Sequence, residues 1–136
     1  MSNNSSDFDG EIRPVKWFIK GFGGSRTYNV MMGTIKWKVE DDSVKVHTFR
    51  IPNSYYVPDG GVRLFSPQHW AKTQKDRKPT QGTGSTTLAD RVTLFWHQRH
   101  FSKKVYLDPN TNVATFSLAP GYTKYHAFCT KAFLQN

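Results

Sequence analysis

Apolar residues in this chain recur at every second position and hardly anywhere at the spacing of a helix. Ile35, Trp37 and Val39 alternate with Lys36 and Lys38, and Val92, Leu94 and Trp96 repeat the pattern. In an extended chain successive side chains leave on opposite faces, so this alternation buries one face of a sheet and wets the other. The fold class it predicts is all-β. Ten Phe, six Tyr and four Trp within 136 residues provide the mass for a core, which a disordered tail would lack. No apolar run approaches the ~20 residues that cross a bilayer, so no membrane partner is expected. Residues 1–7 have neither the basic region nor the apolar stretch of a signal peptide, and one cysteine, Cys129, cannot close an internal disulfide. The expectation is an intracellular chain, cytoplasmic or nuclear, in a reducing compartment.

Turn residues divide the pattern. Residues 35–39 and 44–51 form a hairpin around Glu40, Asp41, Asp42 and Ser43, which Pro52 and Asn53 end. A short strand at 55–57 turns through Pro58, Asp59, Gly60 and Gly61 into another at 62–65. Ser66 before Pro67 reads as an N-cap with proline at the first helical position, predicting a short helix to about Ala71. Residues 72–87 contain no apolar residue save for proline and glycine, so they read as a polar linker or long loop. Beyond it, strands at 92–96, 101–107 and 113–118 make a meander, and 122–128 adds a last strand. The organisation is then a first lobe at 1–71, a linker at 72–87 and a β-meander at 88–136.

Few residue groups suggest chemistry. Gly21, Phe22, Gly23 and Gly24 lie between two strand-like runs, where glycines permit a hairpin tip or a mobile loop over an extended ligand. They lack the following helix and Lys-Ser/Thr of a phosphate-binding loop. His97 with His100, and His126 with Cys129, offer nitrogen and sulfur ligands of the kind zinc takes, but residues three apart in a strand face opposite ways. Each pair would need a turn inside it, so no metal and no cofactor is expected. Cys129 has no recognisable base to activate it as a nucleophile. An aspartic dyad needs Asp-Thr-Gly or Asp-Ser-Gly, and neither tripeptide occurs.

Nineteen Lys and Arg against ten Asp and Glu give a net charge of +9. Lys16, Lys20, Lys36, Lys38, Lys45, Arg50 and Arg63 stand singly between apolar neighbours, as on the solvent face of a sheet. Lys72, Lys75, Arg77 and Lys78, and Arg99, Lys103 and Lys104, are locally dense. Those seven are the candidate contacts to nucleic-acid phosphates, with Trp96 or Phe101 available for stacking; charge alone licenses only nonspecific binding.

The segment 51–70, IPNSYYVPDGGVRLFSPQHW, resembles the second half of the retropepsin-like protease domain in copia-type retrotransposon Pol polyproteins. In that family a strand ending in Tyr-Val-Pro leads through a turn to Leu-Leu-Ser and a short helix. Tyr56, Val57 and Pro58 match the first landmark; Leu64, Phe65 and Ser66 match the second, with Phe65 for the commoner Leu. Gly21 to Gly24 stand where the family carries its flap, and residues 3–8 look like the stretch that follows the catalytic Asp-Ser-Gly. Residues 88–129 look like the β-rich region before the pre-integrase segment. The resemblance implies a small retropepsin-type β-barrel with one short helix, whose catalytic aspartate lies upstream of Met1. The chain is then expected to be a noncatalytic remnant of an aspartic protease domain: a binding module for a peptide or polyprotein segment, or a weak homodimer through an unpaired strand edge. The alternatives are a basic β-domain that binds nucleic acid, and an active aspartic endopeptidase whose true N-terminus lies further upstream.

Overall fold

In a computed structural model, the described residues are 1–15, 19–20, 26–27, 30–61, 63–119 and 126–129. They are mostly β, with one short α-helix. No helix among them is long and apolar enough to cross a membrane.

Strand β1 (Phe8–Pro14) pairs with the later β4 (Met31–Glu40) in one sheet, while β2 (Ile19–Lys20) and β3 (Arg26–Thr27) pair with each other. Gly21, Phe22, Gly23 and Gly24, between β2 and β3, lie outside the described residues. The predicted hairpin is β4 (Met31–Glu40) against β5 (Val46–Tyr56). Ile35, Trp37 and Val39 point into the core, as the alternation requires. Pro52 and Asn53 do not end β5: Asn53 takes a left-handed φ of 53°, Ser54 Oγ bonds back to Ile51 O at 2.7 Å, and the strand passes the break as a bulge to Tyr56.

From Tyr56 the chain turns through Pro58–Gly60, with Gly61 at φ 73° where a side chain would be strained, into β6 (Arg63–Phe65). Ser66 then caps α1 (Pro67–Thr73), its Oγ accepting from His69 N at 3.3 Å. The helix runs two residues past the predicted end, and Thr73 Oγ1 donates to Trp70 O in its last turn.

The expected linker does not stay structureless. After α1 it closes a loop and ends in β7 (Gly84–Thr87), which pairs with β8 (Arg91–Trp96). Backbone ladder bonds there replace the apolar burial that the sequence lacks. The three-stranded meander is therefore β7, β8 and β9 (Phe101–Tyr106), not the expected set. Strand β10 (Thr115–Ser117) leaves it to pair with β11 (His126–Cys129), and β11 runs parallel to β6. The C-terminal part thus completes a sheet begun in the first lobe.

A single buried cluster crosses the expected lobe boundary. Trp37, Phe49, Phe65 and Trp70 from the first half pack with Leu94, Trp96, Val105 and Phe116 from the second. Phe49 stacks on Trp70 at 4.6 Å between ring centres, and Trp96 meets Phe49 edge-on at 5.0 Å. The hairpin tip ties the sheets together from outside: Asp42 N donates to Ser102 O, and the Asp42 carboxylate accepts from Lys104 N at 3.1 Å.

Candidate functional site

The structure divides the charged residues into two populations that the sequence could not separate. Arg63, expected on a solvent face, is buried at 4% exposure. Its Nε and Nη2 grip the two carboxylate oxygens of Asp7 at 2.5 and 3.0 Å. Ser2 Oγ donates to the same carboxylate. Burial pushes the Asp7 carboxyl up, but the Arg63 and Ser2 hydrogen bonds outweigh it and hold it below the ordinary carboxylate range. The Trp37 indole adds to that effect without closing a hydrogen bond. Residues 1 and 2 pin the cluster in place: Ser2 N donates to Tyr55 O, Val57 N to Ser2 O and Leu64 N to Met1 O. This charge is structural, since each partner is committed to the other.

Asp41 organises the β4–β5 turn. Its carboxylate accepts from Ser43 N and Lys45 N and from His47 Nε2 at 2.8 Å, and the His47 bond is the main reason its carboxyl lies below its usual range. His47 is thereby fixed against Phe101 and Trp96, at ring-centre distances of 4.3 and 5.0 Å.

The second population lines a cleft of about 480 Å³. One wall is the loop after α1, carrying Arg77 and Lys78; the other is the β8–β9 turn, carrying Arg99. The loop is closed by Asp76, whose Oδ2 accepts from Thr83 N at 2.8 Å. Gly82 makes that closure feasible, because a Cβ there would overlap the Asp76 side chain. Replacing Gly82 by Ala is accordingly expected to expel Asp76, cost about 1 kcal/mol for the lost hydrogen bond and speed amide exchange at Thr83. Unchanged protection at Thr83 would show that the loop does not depend on this contact.

The opposite wall is strained. His97, Gln98 and Arg99 have φ of 51°, 55° and 65°, three successive left-handed residues without a glycine. Arg99 is held within this turn by Nη2 donating to Thr80 O at 3.0 Å and by its guanidinium lying 4.3 Å from the centre of the Phe95 ring.

Of the seven basic candidates, the fold gathers Arg77, Lys78 and Arg99 at one cleft. Lys103 is diverted, its Nζ donating to Glu40 O at 2.9 Å and lying over Phe116. Lys72, Lys75 and Lys104 do not line the cleft. The β8–β9 turn brings the His97 and His100 rings to 5.6 Å, yet no group of three metal-ligating side chains occurs among the described residues. The side chains of His126 and Cys129 lie outside them. Among the family landmarks, Val57, Leu64 and Phe65 are buried, Ser66 caps the helix, Pro58 opens the turn, and Tyr56 is half-buried with its ring edge against Phe8. Asp7 and Asp76 were not legible as organisers, because an isolated aspartate carries no pattern that tells a cap from a surface charge, while Asp41 was legible only as one of four turn residues. No family model, curated protein or solved structure matches the chain.

Proposed function

We propose that the chain is a noncatalytic, retropepsin-like β-module of a copia-type retrotransposon polyprotein, and that it works by binding. The observation that carries this reading is the order of elements around the landmark residues. Strand β5 ends at Tyr56, Pro58–Gly60 turns the chain, β6 holds Leu64 and Phe65, and Ser66 starts a short helix. That is the succession the resemblance implies. The state of the carboxylates supports the noncatalytic half. Aspartic chemistry needs two carboxyls sharing a proton around one water. Here Asp7 is locked to Arg63, Asp9 is paired with Arg50 and Asp41 with His47.

Incubation with a polyprotein-like peptide at mildly acid pH is expected to leave the peptide intact. Cleavage that a transition-state mimic of aspartic proteases blocks would overturn the noncatalytic reading.

A further inference from the structure

We infer that the cleft between the loop after α1 and the β8–β9 turn binds the phosphate backbone of single-stranded nucleic acid. The inference deepens the binding-module reading by naming a ligand class. Three cations, Arg77, Lys78 and Arg99, face one cleft whose single carboxylate, Asp76, is already engaged by Thr83 N. Arg77 and Lys78 form no ion pair among the described residues. Like charges gathered on two converging walls repel, so the arrangement gains from an anion between them. Arg99 is already oriented to receive one, because stacking on Phe95 and one bond to Thr80 O fix the guanidinium and leave most of its donors unused.

A second observation is independent of charge. A smaller cleft of about 270 Å³ shares Asp76 with the first and continues along Trp70, Trp96 and His97. Cations on one side and the exposed His97 ring on the other match a strand that presents phosphates along one edge and bases along the other. Duplex fits less well, because its bases are turned inward and its phosphates lie on a convex cylinder too broad for a cleft of this size.

The test is fluorescence anisotropy of the full chain with labelled oligothymidylate and oligouridylate across a salt series. Three phosphate contacts predict that log K falls with log salt at a slope of about −2, at roughly 0.7 per neutralised phosphate on single strands. Binding should quench tryptophan emission. The variant Arg77→Gln/Lys78→Gln should flatten the slope to about −0.7 and weaken binding at least tenfold. The variant Arg13→Gln/Lys104→Gln removes the same charge away from the cleft and should keep the slope and nearly all the affinity. Circular dichroism spectra matching the parent chain confirm that each variant is folded. Equal losses from the two variants would overturn the proposal in favour of a diffuse basic surface. So would tighter binding of duplex, or binding of inorganic polyphosphate with none of oligonucleotide. Peptide cleavage tests the noncatalytic reading separately, so either reading can fail while the other stands.

Discussion

Replacing Arg63 by Met while keeping Asp7 is expected to destabilise the protein by about 3–5 kcal/mol, the usual cost of leaving one member of a buried ion pair alone. The Asp7 and Arg63 side chains are 2% and 3% exposed, so water cannot take over the lost contacts. Asp7→Asn should also be costly, because the guanidinium then lacks its countercharge. The two replacements together should cost less than their sum, since the second removes a group that the first has already stranded. Acid titration gives a sharper signature. In the parent chain the folded Asp7 carboxyl titrates below its unfolded value, so its contribution is fully present above about pH 4 and is lost as pH falls through the folded value. In Arg63→Met burial acts on the carboxyl without the opposing cation, its folded value rises, and the protein should gain stability as pH falls from that raised value to about 4, above the range in which the parent loses it. Urea melts at neutral pH, near pH 4 and at about pH 2 read both effects. A loss below about 1 kcal/mol, or identical pH profiles, would show that the pair is solvated rather than buried.

The second large effect is expected at Trp70, where Trp70→Ala should cost about 3–5 kcal/mol. That is much of the stability of an ordinary domain of this size. Trp70 is 2% exposed and sits where the two halves meet: stacked on Phe49 of β5, 5.3 Å from the Phe65 ring of β6 and 5.9 Å from the Trp96 ring of β8. Truncation opens a cavity bordered by residues from both sides of the expected lobe boundary, so both halves should weaken together. Tryptophan fluorescence and far-ultraviolet dichroism should report one coincident transition in the parent chain and in the variant. Two separated transitions, with Trp70→Ala shifting only one, would mean that residues 1–71 and 88–119 fold as separate units.

Much of the strand pattern was legible because it is local. Ile35, Trp37 and Val39 announce β4, and Val92, Leu94 and Trp96 announce β8, since alternation at period two requires only that one face be buried. Ser66 and Pro67 announce the helix start for an equally local reason: an N-cap hydroxyl and a fixed φ act within a single turn. The basic character of residues 72–78 and 99–104 was also visible, and three of the seven named cations line the cleft.

The β class, the hairpins, the helix start and the supply of charge thus follow from the order of residues alone. Where that charge acts does not. Arg63 and Lys36 look alike in sequence, each a single cation between apolar neighbours. One is buried on Asp7, 56 residues away, and the other stays half exposed beside Arg50. The same holds for β7, whose Gly, Ser and Thr residues carry no strand signal and become a strand because β8 presents an edge to pair with. Periodicity reports which face of a segment avoids water, whereas hydrogen bonds and ion pairs depend on which distant segment arrives opposite. That arrival is set by the packing of Phe49, Phe65, Trp70 and Trp96 around one core, and it also brings Arg77 and Lys78 across from Arg99.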